Sequence, residues 1–330
     1  MFKIKTYLCI ALFAGCFTQV ARAQEAETET DEQATTVTTE EQEGADSADS
    51  FSLTPTTGRE ACPASLDVTY YIYSDYIFRG VNFSEYPGEG REKIDHQITT
   101  SLELDLGMLF GRERGELGTF GFGTFFEWYA DQEILDPEFG NDNLQEIDYT
   151  LTWTYDIEQI ATSFTLGYVF YDFPHHKPIN TQEWTLGLAH NDAWMWKWLL
   201  PNNEDGVLNP TFFFAQDVDQ IKGCWAEIGI SHDFEVAEGL TITPSTLLAI
   251  DHRYLGPMTG TSENGSTRLA YIQYGLTAAY DLSQLYRIPH DPGQWTVAGF
   301  LYFNEALGHA KDSGAIGDEF FGGMSLSWSF

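Results

Sequence analysis

Most of the side chains in this sequence that could do chemistry are carboxylates. The chain of 330 residues carries 50 Asp and Glu against 16 Lys and Arg, for a formal net charge of −34. Asp67, Asp75, Asp95, Glu103, Asp105, Glu127, Asp148 and Glu227 each fall on the polar side of an alternating segment. Tyr71 shares that side in the first segment, and Arg79 is the base nearest to the set in phase, with Asp75 and Asp95 as its candidate partners. Carboxylates gathered on one wall attract cations and repel anions. Other chemistries find little support. A nucleophile needs an adjacent base, yet none of the eight histidines begins a His-x-Ser. His175 and His176 are adjacent, so on extended chain they point apart and do not share a metal. There is no GxGxxG, no Walker-type loop, no CxxC and no zincin motif. No catalytic centre, metal or cofactor is therefore expected, and the charge is wrong for a nucleic-acid partner.

The elements that carry these residues alternate with period two. From Asp95 to Leu106, Ile98, Leu102, Leu104 and Leu106 lie on one face, opposite Gln97, Thr99, Ser101 and the acids. Ile147, Tyr149, Leu151, Trp153 and Tyr155 alternate in the same way with Asp148, Thr150, Thr152, Thr154 and Asp156. Such alternation is a strand signal. Twelve segments follow the pattern, near 65–76, 93–106, 117–130, 145–156, 160–172, 182–190, 208–217, 223–234, 239–251, 268–281, 294–304 and 317–330. Short turns and long polar loops connect them alternately, with no apolar run of about 20 residues among them. This is the layout of an all-β, up-and-down antiparallel transmembrane barrel of about 12 strands, spanning residues 65–330. Aromatics at 15% exclude a disordered acidic protein. Two places fit poorly. Pro244 interrupts a strand, where it costs a ladder bond unless it sits at a bulge. Residues 191–207 carry Trp194, Trp196 and Trp198 and are expected to be an extended connection, since a thirteenth strand would break the even count.

Residues 1–23 have the layout of an export signal: Lys3 and Lys5, an apolar stretch, then Ala21-Arg22-Ala23. An alternative lipoprotein reading rests on Ala14-Gly15-Cys16. Residues 24–64 are an acidic tail of disordered composition, which serves as a linker or else as a plug or binding arm. Cys62 and Cys224 are expected at opposite ends of the barrel, with no disulfide between them.

The last strand places Phe320, Met324, Leu326, Trp328 and Phe330 on one face and ends the chain on Phe. Met324, Leu326, Trp328 and Phe330 resemble the C-terminal signal by which bacterial outer-membrane barrels are recognised for assembly. Ser74-Asp75-Tyr76-Ile77-Phe78-Arg79-Gly80-Val81 resembles the S-x-Y-x-F-R-G opening of a porin-like family from Gram-negative bacteria. That resemblance covers about eight residues and implies a small-solute channel. The expectation is a bacterial outer-membrane porin-like channel for small hydrophilic solutes, preferring cations. Its partners would be outer-membrane lipid, the barrel-assembly machinery and the solutes or cations themselves. Two alternatives are a non-conducting barrel that displays its loops as a scaffold or adhesin, and, third, an outer-membrane hydrolase. The sequence leaves the solute and the oligomeric state open.

Overall fold

The computed structural model describes residues 62–84, 94–129, 144–174, 179–201, 206–261, 267–283 and 293–330. The expected export signal and almost all of the acidic tail lie outside the described residues, as do His175 and His176. In chain order the strands begin with β1 (Ala64–Tyr73), β2 (Ile77–Phe78), β3 (Val81–Asn82), β4 (Asp95–Asp105) and β5 (Thr119–Tyr129). Next come β6 (Leu144–Ile157), β7 (Thr162–Asp172), β8 (Thr181–His190), β9 (Thr211–Asp217) and β10 (Cys224–Ser231). The remainder are β11 (Phe234–Ala237), β12 (Leu240–His252), β13 (Thr267–Asp281), β14 (Gln294–Ala306) and β15 (Glu319–Ser329).

Twelve of these form a closed antiparallel ring, in which β1 pairs with both β4 and β15, and β10 pairs with both β9 and β12. The ring corresponds strand for strand to the twelve alternating segments. Closure at the termini is direct: Leu66 and Phe330 exchange backbone hydrogen bonds of 2.8 and 2.9 Å. Outside the ring stands a band of exposed apolar side chains that includes Leu102, Phe122, Leu151, Leu166, Leu276 and Leu301. Met324 (60% exposed) and Leu326 continue the band on the last strand. A sheet that exposes Leu and Phe on one face and Thr, Ser and acids on the other is inside-out relative to a water-soluble barrel.

Pro244 falls where the ladder already changes partner. Beyond Ser231 the strand is interrupted at His232 and Asp233, and β11 then pairs only with the start of β12. His232 N donates to the Pro244 carbonyl at 3.2 Å, so the missing N–H of Pro244 faces this break and forfeits no regular bond. Among its described residues the connection between β8 and β9 adds no strand. It contains a helical turn, Ala193–Trp196, organised around Asp192. Asp192 Oδ1 accepts from the backbone N–H of Val207 (2.7 Å), Leu208 (3.1 Å) and Asn209 (3.3 Å). Its Oδ2 accepts from the Trp196 indole at 2.7 Å.

The inward face is divided along the barrel axis. Toward the end that holds Ala64 and Phe330 it is mostly Thr, Ser, Gly and Ala, with Asp67 and Glu103 among them: Thr69 opposes Thr99 and Ser327, and Thr296 opposes Ser327. Toward the far end it carries aromatic and charged residues, among them Tyr71, Asp95, Glu127, Asp148, Glu183, Trp225 and Asp251, all buried. Part of that end is packed with apolar side chains inside the ring, where Trp225, Tyr254, Leu255, Tyr271 and Ile316 form a core. The short helices Leu255–Thr259 and Gly308–Asp312 contribute to it.

Burial pushes the Asp192 carboxyl up. The Trp196 N–H and the three backbone N–H groups outweigh this and hold its pKa below the ordinary carboxylate value. A carboxyl depressed on folding contributes stability above its unfolded pKa, and loses it as the pH falls through the folded one. Asp192→Asn should therefore be less stable than the parent at neutral pH and lose less stability on acidification below about pH 4. Denaturant midpoints at pH 7 and pH 3 provide the measurement, and parallel curves would refute the role given to Asp192.

Candidate functional site

The segment expected to run on from the first strand leaves the sheet instead. β1 ends at Tyr73, and residues 77–82 fold into the lumen as the hairpin β2–β3, with Ile77 opposite Asn82 and Phe78 opposite Val81. Its two-residue loop, Arg79-Gly80, has φ of 53° and 81°, the signs a type I′ turn requires. Glycine meets that demand without cost, and a Cβ at Gly80 would also lie 2.7 Å from the Tyr271 ring. Arg79 accepts a left-handed conformation costing about 1–2 kcal/mol. The compensation is its anchorage. Phe78 and Val81 pack against the interior core, which draws the hairpin inward.

Arg79 corrects the expectation of a partner in Asp75 or Asp95. Its guanidinium makes a bidentate pair with Glu183 on β8, Nη1 to Oε1 at 2.6 Å and Nη2 to Oε2 at 2.8 Å. Parity in the sequence carries Arg79 along the β1 face, whereas the turn throws it across the lumen. Glu183 is 0% exposed and also accepts from the hydroxyls of Tyr254 (2.5 Å) and Tyr171 (2.9 Å). The guanidinium carbon lies 4.1 Å from the centre of the Tyr254 ring and 4.8 Å from that of Phe78. Burial alone would lower the Arg79 pKa, but Glu183 beside it keeps it well above the ordinary value. All of Glu183's ligands are thus donors, as a buried carboxylate requires.

A second group of acids gathers on the β4–β6 wall. Gln97 stands opposite Glu127, Glu127 opposite Glu146, and Phe125 opposite Asp148. Gln97 donates to Asp95 Oδ2 at 2.5 Å. Tyr76, at the base of the hairpin, donates its hydroxyl to Glu146 Oε2 at 2.6 Å. Burial and the neighbouring Glu146, Asp148 and Glu127 push the Tyr76 pKa well above its ordinary value, so it remains a donor. Asp75 belongs to the loop rather than to the strand, and accepts from Ser74 and from Asn82.

The remaining expected residues are dispersed. Asp67 and Glu103 face inward nearer the termini, where Asp67 is opposite Ser329 and Glu103 opposite Gly121. Tyr71 is inward and buried. Asp105 caps the helical turn Leu106–Leu109, accepting from Met108 N at 2.8 Å and from Gly115 N at 2.9 Å. Glu227 accepts from the Trp225 indole at 2.8 Å. Met324, Leu326 and Phe330 are exposed on the outer face, and Trp328 packs beside Trp295. Glu183, Glu146 and Tyr76 escaped sequence reasoning. The first two were within reach, since Glu183 has the parity opposite to Trp184 and Leu188, and Glu146 shares that of Asp148. Arg268 is the other buried base among the described residues, and it pairs with Asp251 at 2.7 Å.

Cys62 and Cys224 form no disulfide. They lie at opposite ends of the ring, with Cys224 opposite His252 and Gln216 at the far end. Among the described residues no group of three His, Cys, Asp or Glu is placed to hold a metal ion.

No protein-family model matches the sequence, and no curated protein matches it. Solved structures do resemble the chain. An outer-membrane channel from Pseudomonas putida F1 is 10% identical, with a TM-score of 0.44, covering 84% of this chain and 100% of its own. The KdgM porin is 11% identical with a TM-score of 0.40, covering 81% and 99%. The NanC porin is 10% identical with a TM-score of 0.39, covering 80% and 98%.

Replacing Arg79 with Ala leaves Glu183 buried without its cation, a change that costs about 3–5 kcal/mol when a buried pair is broken. The hairpin should be released, and a thermolysin cut between Ile77 and Val81 should appear that the parent resists. Unchanged protection would show that the apolar packing alone holds the hairpin.

Proposed function

We propose that this chain is a channel of the bacterial outer membrane that passes small hydrophilic solutes and prefers cations. One observation carries the reading. The closed ring turns apolar side chains outward, while its inner face gathers carboxylates against two buried arginines, each already paired with an acid. A surface of that kind suits lipid outside and a negative potential inside. In this reading the termini lie on the periplasmic side and the longer loops outside. Residues 1–23 direct export, and the outward face that ends at Phe330 is read by the assembly machinery. No chemistry of bond making is assigned to the barrel.

A second reading has its own support. The hairpin and the two short helices fill part of the far end with packed apolar side chains. A barrel sealed there would be a scaffold for its loops.

Planar-bilayer recording separates the two. The channel should give discrete conductance steps and, under a salt gradient, a reversal potential of the sign for cation over anion permeation. Anion preference would overturn the selectivity, and an insertion-competent barrel without conductance would favour the scaffold. Opening the far end by Arg79→Ala should increase the conductance of a channel.

A further inference from the structure

The tryptophan-rich connection between β8 and β9 has no part in the function argued so far. From Trp194 to Leu200 it reads Trp-Met-Trp-Lys-Trp-Leu-Leu, with one charge in seven residues. A segment that only joined two strands through water would be polar. This one exposes its large side chains: Trp194 is 62% exposed, Trp198 79% and Leu199 57%, and Met195 is exposed as well.

The local fold separates two sides of the segment. Met195 N donates to the Asp192 carbonyl at 2.9 Å, and Leu199 N and Leu200 N each donate to the Trp196 carbonyl at 2.8 Å. The chain therefore keeps to a helical path. On such a path residues four apart share a face, which joins Trp194 to Trp198 and Met195 to Leu199. Trp196 turns the other way, its indole bound to Asp192, and Ala193 is buried. Asp192 thus holds one side against the barrel and leaves the aromatic side uncovered.

The uncovered side sits at the rim of the outer face. The Trp194 indole donates to His190 Nε2 at 3.1 Å, and His190 Nδ1 lies 2.9 Å from Thr162 Oγ1. His190 and Thr162 oppose each other across β7 and β8, in phase with the outward pairs Leu188–Phe164 and Leu186–Leu166. Trp194 is therefore pinned outside the ring and not beneath its lumen. Asn191 N donates to the Ala161 carbonyl at 2.9 Å, which sets the exposed Ile160 of the neighbouring turn alongside. The apolar band does not end with the strands; it continues onto this connection.

We propose that residues 193–200 form an interfacial foot lying among the phospholipid headgroups and first acyl carbons of the periplasmic leaflet, an inference that rests on the outer-membrane reading. Tryptophan joins a large apolar ring to one N–H donor, so it suits the boundary between hydrocarbon and headgroups. Lys197, set between Trp196 and Trp198, keeps its stem in the apolar layer and extends its ammonium to a lipid phosphate. Continuity with the outer band favours lipid over a protein partner, since the same hydrocarbon that meets Leu166 and Leu188 runs on to Trp194. The foot lies about 5–10 Å into the boundary layer, as interfacial helices do. It gives the barrel an anchor that fixes its height in the membrane on the β7–β9 side.

The test uses the full chain with its four cysteines changed to Ser. Single cysteines are then introduced as Trp198→Cys, Leu166→Cys on the outer face of β7, and Glu238→Cys in the exposed turn after β11. Each carries a nitrobenzoxadiazole label and is refolded into phosphatidylethanolamine–phosphatidylglycerol vesicles, with heat-modifiable gel migration reporting the folded barrel. At 198, a lipid nitroxide near the headgroup should quench roughly twofold more than one near the chain end, and at 166 the order should reverse. Aqueous iodide should quench 198 far less than 238. Leu199→Cys, on the same face, replaces Trp198→Cys if that variant does not fold. Iodide quenching at 198 equal to that at 238 would overturn the foot by placing the segment in water. Shielding at 198 from iodide and both nitroxides would overturn it by placing a second copy or another protein there. Either result with 166 quenched by lipid defeats the foot alone, whereas 166 untouched by lipid defeats the outer-membrane reading itself.

Discussion

Everything in this molecule follows from the closure of one backbone hydrogen-bond ring. Each of the twelve strands has two partners, and the seam between β1 and β15 leaves no edge unpaired there. A sheet without edges satisfies its backbone internally, which is the condition for placing strands in hydrocarbon. Once the ring is closed, alternation does the remaining sorting. Every second side chain must face one medium and its neighbours the other, so Leu102 and Leu104 are committed outward by the register that commits Ser101 and Glu103 inward.

Charge inside the ring is then constrained by the absence of bulk water around it. Glu183, Asp251 and Asp217 at the far end are not left as bare charges. Glu183 has Arg79 and two tyrosine hydroxyls, and Asp251 has Arg268 together with the N–H groups of Tyr254 and Leu255. Asp217 Oδ1 accepts from the backbone of Asp219, Ile221 and Lys222. A buried pair such as Arg79–Glu183 adds little net stability over apolar packing, since desolvation offsets attraction. Its value is positional, because a bidentate pair inside an aromatic cage fixes where the hairpin stops.

The strands were legible because a period of two, held over ten or more residues, has one structural reading. Even Pro244 was informative, since a residue that cannot donate marks a place where the ladder does not ask it to. What parity could not reveal was where the chain stops obeying it. Asp67 through Arg79 keep one phase on paper, but the sheet releases the chain after Tyr73, and Arg79 meets a residue 104 positions away. The local clue was the Arg79-Gly80 pair between Phe78 and Val81, a two-residue turn inside the stretch from Ser74 to Val81. Nor could spacing tell an acid that faces the lumen from one such as Asp105, whose oxygens are occupied by backbone N–H groups.

The division of the inner wall gives the barrel two unlike halves. Thr, Ser, Gly and Ala predominate on that wall beside Ala64 and Phe330, while rings, acids and the folded-in hairpin occupy the far end. Asp67 and Glu103 apart, the carboxylates of the inner wall gather at the far end, so the negative potential of the lumen is stronger there than beside Ala64 and Phe330. The ring thus has a polar axis, and a charged probe meets a different field at each of its two mouths.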